Sequence, residues 1–191
     1  MGAAGSSRVK YYFSTFKEVF EIREEKGSGI ARRPQAPDVS NKQNHQMEIK
    51  TEFTIEPCEK ENIKKIVDGI NEYNLSKVPA IADIWTRLEF VAKDENKNEI
   101  GGILAGLGYW NGLEIKILWV KEEYRKNGVG TKILRYVEKI AIERGAEFSM
   151  LDTFDFQAEE FYLKNGYKPI GEIKGFPKGH RRIYFSKQLT K

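Results

Sequence analysis

The hydrophobic positions of this chain change period several times, and each change marks an element. Ile49, Thr51, Phe53 and Ile55 alternate with Glu48, Lys50, Glu52 and Thr54. That period of two predicts a strand. Ile63, Ile66, Val67 and Ile70 recur at helical spacing and predict a helix over 59–72. Residues 73–85 form an irregular stretch around Pro79, with room for a short helix. Two strands are predicted over 87–94 and 99–109, joined by the polar turn Asp94-Glu95-Asn96-Lys97-Asn98. Asn111-Gly112 is a hairpin signal leading into a further strand over 113–120. Val129, Ile133, Leu134, Val137, Ile140 and Ala141 then form one apolar stripe, which predicts a helix over 128–144 that stops at Gly145. A buried strand over 147–153 follows. A short helix over 157–165 ends at Gly166, and two more strands cover 167–174 and 181–187.

The order β-α-β-β-β-α-β-α-β-β contains no internal repeat. It predicts an α+β fold, a mixed layer with one right-handed crossover through the 128–144 helix. Residues 1–46 stand apart from it. They carry Gly27-Ser28-Gly29, Pro34-Gln35-Ala36-Pro37 and a polar run from Ser40 to Gln46, which are linker and breaker signals. They read as a largely disordered leader ahead of a domain over 47–191. Within the leader, Phe13, Phe16, Val19, Phe20 and Arg23 lie at helical spacing and suit a short amphipathic helix. Gly2 and Ser6 match a weak N-myristoylation pattern.

Composition narrows the function. The single cysteine, Cys58, excludes a disulfide framework and a multi-cysteine zinc site, and two histidines exclude a histidine-rich metal centre. No metal is expected. There is no signal peptide and no apolar run long enough to span a bilayer, so a cytoplasmic protein with no membrane segment is the default. The net charge of +4 is unevenly placed. Residues 1–46 hold 8 Lys/Arg against 5 Asp/Glu, a net +3, and residues 47–191 hold 24 against 23, a net +1. The domain is nearly neutral, which argues against nucleic acid as a partner.

The sharpest segment runs from Leu118 to Thr131. A strand ends, the chain turns through Arg125-Lys126-Asn127-Gly128-Val129-Gly130, and a helix begins. The first amides of that helix lack intrahelical acceptors and sit at the positive end of its dipole. With Arg125 and Lys126 beside them they suit a pyrophosphate. No Gly-Lys-Ser/Thr follows, so this is not a Walker loop, and the third glycine of a dinucleotide fold is missing.

Arg125-x-x-Gly128-x-Gly130 resembles the acetyl-CoA signature of the GNAT acetyltransferases. Downstream, Ala158, Tyr162, Lys164, Gly166 and Tyr167 match that family's Ala-x-x-x-Tyr-x-Lys-x-Gly-aromatic pattern. The resemblance covers about residues 47–191 and none of the leader. It implies a mixed, mostly antiparallel sheet of about seven strands with about four helices, in which a bulge splays the fourth strand (113–120) from the fifth (147–153). It implies acetyl-CoA in that gap, its pantetheine arm on the backbone of Leu118 and Val120. The pyrophosphate would rest on the amides of Lys126, Asn127, Gly128, Val129, Gly130 and Thr131, beside Arg125.

The implied chemistry is acetyl transfer to a primary amine in a ternary complex. The Leu118 N–H would polarise the thioester carbonyl. Tyr162 would protonate the departing thiolate, and Glu114 or a water chain would take the amine's proton. Strict alternation would put Glu114 on the face of Lys116, Leu118 and Val120. Asp155 stands where many members carry Asn, and suits a helix N-cap. The acceptor, a small-molecule or peptide amine, is expected between the 73–85 segment and the 110–113 and 174–180 turns, near Trp85, Tyr109, Trp110 and Phe176. A catalytically silent CoA-binding module is the competing reading, and a homodimer is left open.

Overall fold

The structure, a computed structural model, describes residues 52–189. The expected leader over 1–46, with its Phe13–Phe20 stripe and its Gly2 pattern, lies outside them. The chain divides into two compact units at Val78/Pro79. In the first, α1 covers Lys60–Lys77, five residues beyond the predicted end at 72. The amide of Glu59 donates to Asn62 Oδ1 at 3.0 Å, which caps its start. No helix among the described residues is long and apolar enough to cross a membrane.

The second unit holds β1 (Trp85–Lys93), β2 (Glu99–Gly108), β3 (Leu113–Val120), α2 (Val129–Glu143), β4 (Phe148–Phe154), α3 (Glu159–Lys164), β5 (Lys168–Lys174) and β6 (Arg181–Gln188). The strands form one mixed sheet in the order β1-β2-β3-β4-β6-β5. Only β3 and β4 run parallel, and α2 lies between them in sequence. Residues 101, 103, 105 and 107 of β2 share one face. Gly101 on that face sits so close to α2 that a Cβ would come within 3.1 Å of Ile133. Ile103, Ala105, Leu107, Leu113, Ile115, Leu134, Val137, Ala141, Leu151, Ile183 and Phe185 form the core beneath α2. Leu134 and Val137 are fully buried, each worth about 1.5–3 kcal/mol.

The elements differ from expectation in two places. The first predicted strand does not form where it can be seen: residues 52–59 have no regular structure. Its apolar positions Phe53 and Ile55 stand 79% and 90% exposed. A period-two pattern makes a strand only where a neighbour supplies a ladder and an apolar surface. The sheet therefore has six strands among the described residues, against an expected seven or so. Among the described residues there are three α-helices, against an expected four or so, and residues 79–84 are not helical. There the amides of Ile81 and Ala82 both donate to the carbonyl of Tyr109, at 2.9 and 3.2 Å.

Candidate active site

The site begins with a change of register. From Leu113 to Ile115, β3 pairs with β2 so that Ala105 faces Ile115, but Leu104 faces Ile117. Lys116 is the extra residue, a β-bulge. The bulge reverses the side-chain phase of the strand. Ile103 faces Leu118 and Gly101 faces Val120, so Leu118 and Val120 point to the α2 side, with Leu113 and Ile115. Glu114 faces Gly106 and points to the opposite side. The expected shared face of Glu114, Leu118 and Val120 is thus corrected. Simple alternation cannot survive an inserted residue.

Beyond the bulge, β3 parts from β4. Their pairing consists of Leu113↔Ser149 and Glu114↔Met150 and then stops. The Lys121 amide donates to Ile100 O at 2.9 Å. With the β2–β3 register, this makes Ile117 and Trp119 the residues bonded to β2. Those bonds alternate, so the peptide groups of Leu118 and Val120 point away from β2, to the side β4 has left. Arg125 Nε fills part of that edge by donating to Val120 O at 3.0 Å. The arginine therefore folds the turn back onto the strand, a role beyond simple charge.

At the end of β3 the chain makes a 3-10 turn over Glu122–Tyr124. Lys126 and Gly128 then take left-handed conformations, φ 63° and 79°. Gly128 is the N-cap of α2. A side chain there would have room but the wrong backbone. Gly130 has the other reason for being glycine: a Cβ would lie 3.3 Å from the Phe161 ring. The first α2 bond to the cap runs from the Lys132 amide to Gly128 O at 3.0 Å. The amides of Val129, Gly130 and Thr131 are thereby left facing outward. No acidic residue sits in the first turn of α2. Arg125, Lys126, Asn127 and Gly128 are exposed.

Tyr162 is buried on α3, edge-on to Phe161 and Tyr167 at 5.1 and 5.6 Å between centroids. Burial, and secondly the charge of Asp152, push its phenol up to about 12. It is a neutral donor throughout the ordinary pH range. The influence of Asp152 had no sequence signal beyond its place on the outward face of β4, between the buried Leu151 and Thr153. Asp152 accepts from Arg182 Nε at 2.6 Å. Glu114 accepts from the Lys116 ammonium, which also lies 5.9 Å over the Trp85 ring. Trp85 is seated on Gly106, where a Cβ would meet its indole at 2.3 Å.

Several expectations are relocated. Asp155 does not cap α3, whose N-cap is Ala158. It lies 3.1 Å from His180 Nδ1 instead. Gln157 uses its carbonyl internally, accepting from Thr153 Oγ1 and the Phe154 amide at 3.2 and 3.1 Å. The expected aromatic pocket does not converge. Tyr109 and Trp110 pack together at the start of β3, while Phe176 joins Phe154, Phe156 and His180 beyond the end of β4. A cavity of about 590 Å³ lined by Ile81, Asp83, Thr86, Asn111 and Arg144 sits at the C-terminal end of α2, far from Gly128.

An open strand edge thus runs up to a bare helix N-terminus, with a neutral phenol on the next helix. Similarity to known proteins identifies the family. A family model described as "Acetyltransferase (GNAT) domain" matches residues 86–169. The blasticidin-S acetyltransferase of Streptomyces morookaense is 34% identical over 94 residues, 49% of this chain and 69% of that protein. A crystal structure of an acetyltransferase from Bacillus cereus ATCC 14579 is 34% identical, with a TM-score of 0.67 over 72% of this chain and 98% of the other. The thialysine N-epsilon-acetyltransferase of Sus scrofa is 31% identical over 71 residues, 35% of this chain and 42% of that protein. This chain belongs to the GNAT family of acetyltransferases.

Proposed function

We propose that the protein moves the acetyl group of acetyl-CoA to the primary amine of a small molecule, by direct attack in a ternary complex. The observation that carries the reading is the outward direction of the Leu118 and Val120 peptide groups where β3 leaves β4. A pantetheine arm would pair with them as an added strand. The pyrophosphate would rest on the amides of residues 126–131, and Arg125 would hold the turn that presents them. The Leu118 N–H would polarise the thioester carbonyl.

Tyr162 is the general acid of this reading. Its raised pKa keeps the proton in place until a thiolate develops beside it. An alkyl ammonium has a pKa of about 10.4 and must lose a proton before attack. Glu114, on the face of the sheet opposite α2, or a water chain takes that proton. Blasticidin S and thialysine, the substrates named for two relatives, head the acceptor panel. The test is thiol release from acetyl-CoA with that panel. Release with an amine and none without it supports the reading. Absence of acetyl-CoA binding to the intact chain would sink it.

A further inference from the structure

We infer that Glu138 is a positioning residue that fixes, through Tyr167, where Tyr162 stands relative to the amides at the start of α2. The inference rests on the acetyl-transfer reading above and adds a residue that no motif of the chain marks.

Glu138 lies in the middle of α2 and is 5% exposed. Its Oε1 accepts from the Tyr167 hydroxyl at 2.9 Å, and its Oε2 accepts from Lys187 Nζ at 2.7 Å. The Ser149 hydroxyl is 2.9 Å from the same phenol oxygen and donates to it, since the single phenol proton goes to the carboxylate. The carboxylate thus joins α2 to β6 and to Tyr167, three residues beyond α3, and through the Tyr167 hydroxyl to β4. A buried carboxylate is costly even when paired, and an apolar side chain would often serve stability as well. What an apolar side chain cannot supply is a fixed direction and length.

That geometry bears on Tyr162. The Tyr167 amide donates to Tyr162 O at 3.1 Å, and the two rings meet edge to face. On the other side of Tyr162, the Phe161 ring rests on Gly130. The segment carrying Tyr162 is therefore held against α2 at two points, Gly130 and Glu138. They are eight positions apart on the helix, about 12 Å along its axis. The proposed pyrophosphate amides, of residues 126–131, lead into the first turn of the same helix and include it. A single rigid helix would hold one end of the pantetheine arm and set the phenol that meets the other end. Glu138 acts as a stop on this ruler.

The test compares two thioesters in the full-length chain. Acetyl-CoA is tethered by its pyrophosphate, whereas S-acetyl-N-acetylcysteamine has the reacting thioester and no nucleotide. Glu138→Gln and Tyr167→Phe should each lower kcat with acetyl-CoA about tenfold, since small misplacements of reacting groups cost rate. KM for acetyl-CoA should stay within about twofold, because the phosphate amides are untouched. With the short thioester the same variants should fall less than about twofold below wild type, because an untethered thioester can re-seat against a displaced phenol. Equal losses with both thioesters, or no loss with acetyl-CoA, would overturn the inference. Glu138→Gln nearly preserves shape and decides the question alone if Tyr167→Phe does not fold. Wild-type protein that releases no thiol with any amine would refute the acetyl-transfer reading itself. A Tyr162→Phe variant as active as wild type would instead remove the acid role, and with it the need for a ruler.

Discussion

The two ends of the β3–β4 junction are built on opposite terms. At the Leu113 end the strands pair, and Leu113 and Ser149 are fully buried. At the Val120 end the strands diverge and the peptide groups of Leu118 and Val120 face outward. Open backbone in a sheet is ordinarily a liability, satisfied by water or by a neighbour. Here it persists because the closed end does not let the strands zip further. The Lys116 bulge turns β3 away, and Gly130 brings α2 close enough for Phe161 to pack against it. The comparison teaches that the opening is a product of packing elsewhere.

Breaking the closed end should have the largest effect. Leu113→Ala leaves a cavity under α2 and should cost about 2–5 kcal/mol of stability, read as a lower midpoint in urea. An unchanged midpoint would mean that the two rungs do not hold the junction. At the open end the matching variant is Tyr162→Phe. It should lower kcat about a hundredfold while acetyl-CoA binding by calorimetry stays close to wild type. Weaker binding with unchanged kcat would make Tyr162 a wall of the site and not its acid.

Much of this contrast was legible in the sequence, and the reasons differ by region. The six strands of the sheet lie within two residues of their predicted bounds: five have a covered face that enforces alternation or an apolar run, while β5, exposed at every residue, is bounded by the turns at Gly166 and Gly175. The glycine turn ahead of α2 was legible because glycine at a left-handed N-cap and an apolar helical stripe are local signals. The strand expected at 49–55 had the right period, but residues 52–55 gain no ladder. The bulge was implied only by resemblance. No pattern in Leu113-Glu114-Ile115-Lys116-Ile117-Leu118 marks the inserted residue, so the face of Glu114 was misread. Glu138 was invisible because its partners Tyr167 and Lys187 are 29 and 49 residues away. A lone glutamate in an apolar stripe reads as a helix-surface charge.

A smaller effect tests the turn. Gly128→Val forces a β-branched residue into a left-handed conformation that costs about 1–2 kcal/mol. Since a Cβ there has free space, the damage should appear as presentation of the amides and not as a clash. Acetyl-CoA affinity should fall about tenfold, with kcat at saturation little changed. A loss confined to kcat would move the pyrophosphate away from these amides.

The smallest effect sets the two buried tyrosines side by side. Burial raises both: Tyr162 to about 12, and Tyr167 in the same direction, with Glu138 adding to it. In the unfolded chain a tyrosine ionises near pH 10. A raised folded pKa contributes stability that is complete below pH 10 and is lost as pH rises through the folded value. Between about pH 10 and 12 the native state holds a proton that the unfolded state has released, so each tyrosine tilts stability downward by about 1.4 kcal/mol per pH unit. Thermal unfolding followed from pH 8 to 11 should be level at first and then fall. Tyr162→Phe should fall less steeply than wild type above pH 10 by one such increment, and Tyr167→Phe by the same. If Tyr162→Phe keeps the full wild-type slope, the phenol at the open end is already in contact with water, and the contrast between a sealed Tyr167 and a sealed Tyr162 gives way to one between a core residue and a rim residue.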